Sequence, residues 1–152
     1  MAFHEQSFAS RFSAMGDQAE GVFDTIYPKN HPLGLNRPPF NMTSLTLAMR
    51  YTPDRMTRDR MVEIQGIGRN QKLKIKDEKA AALLDWQKIG PVHIFVYDSA
   101  HHRYWEAPLD SWLKTALVHG EKGAYKNDGK TYMELSVRHF PTTPNKAPDP
   151  NG

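Results

Sequence analysis

Residues 51–65 read Tyr51-Thr-Pro-Asp-Arg-Met-Thr-Arg-Asp-Arg-Met-Val-Glu-Ile-Gln65, and the reading of this stretch decides the fold. Its second half alternates. Val62 and Ile64 share one face, Glu63 and Gln65 the other, because successive strand side chains point to opposite sides. A strand over Met61 to Gly66 is expected. Upstream, Leu45, Leu47, Met49 and Tyr51 alternate with Ser44, Thr46, Ala48 and Arg50, which predicts a neighbouring strand that Pro53 ends. Thr57 to Arg60 is a polar turn. Asp54 then falls at the end of one strand and Glu63 in the middle of the next. Taken alone, Asp54 is a common turn residue after proline. Glu63 is harder to dismiss, since carboxylates are depleted from strands. It needs either a solvated edge face or a chemical role.

The elements on either side support a layered α/β domain. Phe8, Phe12, Met15, Ala19, Val22 and Ile26 recur at helical spacing and predict a helix over residues 5–27. Residues 28–41 carry four prolines and form a loop. Lys76 to Ile89 reads as a second helix. Pro91 to Tyr97 is apolar on both faces and reads as a central strand. A turn from Ser99 to Arg103 leads to a strand from Tyr104 to Pro108. Asp110 is the expected cap of a helix ending near Val118. Glu121 to Lys130 reads as a polar loop, and Thr131 to His139 as a last strand. The expected fold is α/β, a single domain over residues 1–140 with a central mixed sheet flanked by helices. Residues 141–152, PTTPNKAPDPNG, read as a disordered proline-rich tail.

Composition narrows the function. The 152 residues include no cysteine, which excludes disulfides, iron–sulfur clusters, cysteine-ligated zinc and thiol catalysis. No apolar run approaches the roughly 18 residues that a spanning helix needs, and the start of the chain does not read as a secretion signal. A cytoplasmic protein without a membrane role is expected. From Arg50 to Lys76 there are eight basic residues against three acidic ones, a denser surplus than the net +3 of the whole chain. Such a local field suits a polyanion, nucleic acid first. Gly66-Ile-Gly68 lacks the Gly-Lys-Ser/Thr continuation of a nucleotide loop. Trp86, Trp105 and Trp112 read as core, His93 as a hydrogen-bonded strand residue, and His101-His102 as a solvated turn.

A carboxylate pair on neighbouring strands suits a hard divalent cation, which takes carboxylate oxygens, keeps waters and leaves positions for phosphate. Pro53-Asp54 followed by Glu63-Ile64-Gln65 resembles the PD-(D/E)xK nuclease superfamily, with glutamine in the lysine position. Gly16-Asp-Gln-Ala-Glu20 is similar to the G-x-x-A-E opening of small Holliday-junction resolvases. The basic run Arg69 to Lys76, the following helix, Gly90, the apolar strand and the Tyr104-Trp105 strand keep the resolvase order, so the resemblance covers residues 12–108. It implies a restriction-endonuclease-like domain and a magnesium site, with manganese able to substitute, formed by Glu20, Asp54, Glu63 and the Ile64 carbonyl. It also implies Gln65 at the position of the water-orienting lysine. Taken alone, Glu20, one step off the apolar stripe, reads as a surface helix residue. Glutamine can hydrogen-bond a water but carries no charge, which leaves three readings. Gln65 suffices, or Lys72, Lys74 or Lys76 reaches in, or the site only binds.

The implied activity is metal-dependent endonucleolytic cleavage of DNA, branched DNA or a Holliday junction above all, by a homodimer. Arg55, Arg58, Arg69, Lys72, Lys74 and Lys76 are the expected phosphate contacts. Two alternatives stay open: a non-catalytic DNA-binding or assembly protein on the same fold, and an α/β interaction module whose basic segment meets an acidic protein.

Overall fold

The computed structural model describes residues 15–33 and 46–148. Phe8, Phe12, Leu45 and residues 34–41 of the proline-rich loop lie outside them. Residues 15–26 form helix α1. There follow β1 (His31–Pro32), α2 (Leu47–Arg50), β2 (Arg55–Met56), β3 (Met61–Ile67), β4 (Lys72–Lys76) and α3 (Asp77–Gln87). The chain continues through β5 (Val92–Asp98), β6 (Arg103–Pro108), α4 (Leu109–His119), β7 (Glu121–Ala124), β8 (Thr131–Ser136) and β9 (Asn145–Lys146).

The central sheet has the order β1-β2-β3-β5-β6-β9, and a second sheet the order β4-β8-β7. Among the described strands only β3 and β5 run parallel, with Glu63 opposite Ile94 and Gln65 opposite Val96. The β4–α3 segment is the crossover that parallel neighbours require. The domain is therefore α/β, a central mixed sheet flanked by helices.

Alternation divides the core in two. Val62 and Ile64 of β3, with Phe95 and Tyr97 of β5, pack under Ala19, Val22 and Phe23 of α1. On the other face Met61, Ile67, Ile94, Val96 and Trp105 meet Leu83 of α3, Trp112 of α4, and Leu73, Ile75 and Leu135 of the second sheet. The Trp112 indole N–H donates to the carbonyls of Ile94 (3.1 Å) and Ala107 (3.2 Å), so this buried donor is paired. Helix α1 approaches β3 so closely at Gly66 that a Cβ there would sit 2.9 Å from the Met15 carbonyl oxygen. Gly66→Ala is therefore expected to lower stability by about 2 kcal/mol, a Tm fall of roughly 6 °C for a chain of this length. Thermal melting checks it, and an unchanged Tm would contradict the close approach.

Several local expectations are corrected. The alternation around Leu47 and Met49 builds the single helical turn α2, with the Thr46 hydroxyl accepting from the Met49 N–H (3.4 Å). Leu47 and Met49 stay exposed, and the Ala48 carbonyl accepts the Trp86 indole N–H (2.9 Å). The basic run after Arg69 is not all loop. Lys72, Lys74 and Lys76 alternate with buried Leu73 and Ile75 in β4. Part of the expected polar loop is β7, paired with β8. Helix α4 has Pro108 at its N-cap, and Asp110 lies in its first turn instead. The proline-rich segment is not loose throughout: β9 pairs with β6, and Ala147 is buried in the α1 core.

Candidate functional site

The site begins where β2 stops. Only two residues of β2 pair with β3, Arg55 with Val62 and Met56 with Met61. Beyond Val62, that side of β3 has no β2 partner, and the Ile64 N–H needs an acceptor. Asp54, just before β2, supplies it: its Oδ2 accepts the Ile64 N–H at 2.8 Å. The N–H and C=O of one strand residue point to the same side, so the Ile64 carbonyl faces the same gap.

Glu63, buried on β3, is hydrogen-bonded to Asp54 carboxyl to carboxyl. Burial, then the charge of Glu63 and that hydrogen bond, push the Asp54 pKa up to about 9, against a smaller opposing effect of the Ile64 N–H. Two carboxyls in such contact cannot both ionise at low cost, so the pair holds one proton at neutral pH.

The counter-charge comes from an unexpected place. Lys79, in the first half of α3, puts its Nζ 2.8 Å from Glu63 Oε2. Burial opposes the ammonium charge, but the attraction of Glu63, their hydrogen bond and the charge of Asp54 outweigh it, and the Lys79 pKa lies above the ordinary lysine value. The first turn of α3 is itself held in place. Asp77 accepts from the Thr131 hydroxyl, and Glu78 accepts from the Tyr51 hydroxyl (3.2 Å) and pairs with Lys130 (3.3 Å).

Lys79 and Gln65 open onto a cleft of about 710 Å³ between the end of β3, the start of α1 and the second sheet. Lys72, Lys74 and Lys76 line its second-sheet wall, and Tyr125 and Asn127 of the β7–β8 hairpin its far side. Lys72 is half exposed and pairs with Glu134 at 3.4 Å. Burial and the neighbouring charges of Lys79 and Lys130 lower the Lys76 pKa. Arg58 and Arg69 are exposed.

Two expected participants are placed differently. Glu20 projects from α1 onto Arg55, 2.9 Å from its Nη1, and Arg55 also pairs with Asp24 at 3.1 Å. Arg55 is thereby committed to α1, 13 % exposed, and is not an open phosphate contact. Glu20 is an ion-pair partner of Arg55, and no contact joins it to Asp54 or Glu63. Among the described residues there is no cluster of three or more His, Asp or Glu placed to hold a metal. The structure brings together Asp54, Glu63, Ile64 and Lys79, with Gln65 on the Glu63 face. His93 donates to or accepts from Glu106 at 2.8 Å, and Trp105 and Trp112 are core.

Sequence reading missed Lys79 and the Tyr125–Tyr132 pair. Lys79 follows the basic run by three residues, and its register on α3 was the available signal. The tyrosines meet at a hairpin whose first strand, β7, reads as loop. No described helix is long and apolar enough to cross a membrane. Compared with family models, curated proteins and solved structures, the chain matches none.

Proposed function

We propose that this protein is a magnesium-dependent DNA endonuclease of the PD-(D/E)xK kind, acting on branched DNA. The observation that carries the reading is the buried Asp54–Glu63 pair, one proton short of full ionisation, with Lys79 on its flank beside a lysine-lined cleft. The donor set fits a hard cation. Asp54 and Glu63 would hold it, with the Ile64 carbonyl on the same side of β3 as Asp54, and magnesium characteristically takes one or two carboxylates and fills its remaining positions with water and phosphate oxygens. A cluster of three carboxylates is not required. When bound, the cation supplies charge neutralisation at the phosphate and a more acidic water.

The chain's own groups do the rest. Asp54 and Glu63 would hold the cation as carboxylates, which requires that their shared proton leave to solvent. Lys79 keeps its charge and faces the cleft, where it offsets charge growing on a phosphate oxygen. In this arrangement it takes the part that Gln65 cannot, and Gln65 is left to hydrogen-bond a water. Lys72 and Lys74 hold the strand by its phosphates. A two-fold dimer would present two such sites to a symmetric junction.

The test is cleavage of a labelled four-way junction beside linear duplex and single strand, with magnesium, manganese or EDTA. Junction cutting that needs metal and is lost in Asp54→Asn is expected. Equal cutting of all three would remove the junction preference. Salt-sensitive binding without cutting would favour the non-catalytic alternative. Magnesium is also expected to raise the Tm of the parent protein and not of Asp54→Asn, since a ligand held only by the folded state stabilises it. An equal rise in both would place the cation elsewhere.

A further inference from the structure

The outer face of the second sheet carries a pattern that the carboxylate site does not explain. Lys72, Lys74 and Lys76 project from one side of β4, and Leu73 and Ile75 fill the core on the other. Alternate residues of a strand are about 6.6 Å apart, comparable to the repeat of phosphates along one nucleic-acid strand. Next to this row stand two tyrosines. Tyr132 is opposite Lys76 in the β4–β8 register and opposite Gly123 in the β7–β8 register. A Cβ at Gly123 would fall 2.5 Å from the Tyr132 ring, so glycine lets the ring lie flat on the hairpin. Tyr125 leans on Tyr132, with centroids 4.8 Å apart and planes at 54°.

The lysines rest on these rings. The Lys74 ammonium is 4.8 Å from the Tyr132 centroid and 5.6 Å from that of Tyr125, and the Lys76 ammonium is 5.5 Å from Tyr125. Such contacts on a half-exposed surface are worth little, and a phosphate would take the ammonium groups from them. The rings would then be uncovered. A row of cations beside aromatic faces is the arrangement by which proteins hold a single strand without reading its sequence. A continuous duplex keeps its bases stacked inside and has none to offer Tyr125. Glu134 and Asp128 also border this surface, and the Lys72–Glu134 pair must open for Lys72 to take a phosphate.

We propose that this face binds one unpaired nucleic-acid strand, phosphates on Lys72, Lys74 and Lys76 and a base against Tyr125, in the cleft onto which Lys79 opens. The choice of nucleic acid as occupant rests on the nuclease reading. The strand preference rests on the tyrosines and the lysine row. It gives a chemical meaning to branched DNA as substrate, because a branch point or flap supplies unpaired nucleotides next to duplex.

The test is binding of the full chain, in EDTA, to labelled oligothymidine, to blunt duplex and to duplex with a single-stranded flap, followed by fluorescence anisotropy. Tyr125→Ala is expected to weaken oligothymidine and flap binding about tenfold and to leave blunt duplex unchanged. Tyr125→Phe should bind like the parent. Lys74→Gln should reduce the salt slope for the single strand by about 0.7. Equal loss on all three DNAs, or no loss, overturns the proposal, as does a parent that binds blunt duplex as tightly as flap. Tyr125-dependent strand binding by a protein that cuts nothing in magnesium would uphold this proposal and count against the nuclease reading. Metal-dependent cutting that ignores Tyr125 would do the reverse.

Discussion

Lys79→Met is expected to lower DNA cleavage by about a hundredfold to a thousandfold, the usual loss when one preorganised donor is taken from a developing charge. The substitution keeps the length of the side chain and removes only the ammonium that sits 2.8 Å from Glu63. The same change leaves a buried, partly ionised carboxyl pair without its cation. Breaking one partner out of such a pair costs about 3 kcal/mol, a Tm fall of roughly 6–12 °C at this chain length. The two effects separate by experiment. Cleavage is measured well below the lowered Tm on protein whose circular dichroism matches the parent, alongside Lys79→Arg. If the well-folded methionine variant cuts at the parental rate, Lys79 serves the fold alone and the lysine-replacement idea fails. Gln65→Ala, by contrast, should cost less, because no charge is lost with it.

The second large effect is a pH dependence that runs opposite to ordinary acid denaturation. Burial and the neighbouring charge of Glu63 push the Asp54 carboxyl up to about 9, far above its ordinary 3.8. Between those two values the folded state holds a proton that the unfolded state has released. Stability from this source is complete below about pH 4 and is lost as pH rises toward 9. The slope is at most about 1.4 kcal/mol per pH unit. Asp54→Asn replaces the protonated carboxyl with a neutral amide of the same shape, so the slope should disappear. In EDTA at pH 8 the variant should be more stable than the parent, while its cleavage falls by at least about a hundredfold. Urea unfolding at pH 5, 6, 7 and 8 reads the difference directly. Parallel profiles for the two proteins would mean that the carboxyl pair does not share its proton.

The elements with long, regular patterns could be read from the sequence. Helix α1, β3, β5, β6 and β8 each bury one face or both, and burial writes the period into the residues. The misread elements hide their period for identifiable reasons. Around Leu47 the alternation is real, but both apolar residues are exposed on a short turn, where period two and period 3.6 fit equally. In β4 the three lysines dominate the composition and mask the Leu73–Ile75 alternation between them. Strand β7 is Glu-Lys-Gly-Ala, which carries no β signal and exists because β8 lies beside it. At the site, Asp54 and Glu63 were legible through the Pro53-Asp54 and Glu63-Ile64-Gln65 motif, although the strand expected to carry Asp54 is the turn α2 and Asp54 sits just ahead of β2. Lys79 was not, because its place is set by how α3 docks, and docking is a tertiary fact. Arg55 looked like a phosphate contact for the same reason, since nothing local announces that Glu20 and Asp24 will claim it.

The short strand β9 carries a practical consequence. Residues 141–148 look by composition like a segment to be trimmed, yet Arg103 and Tyr104 pair with Lys146 and Asn145, and Ala147 sits under α1. Ending the chain at Phe140 would uncover Arg103 and Tyr104 at the start of β6 and leave their main-chain donors and acceptors open to a passing chain. What reads as a dispensable appendix is a selvedge, the finished border that keeps the sheet from being extended by its neighbours.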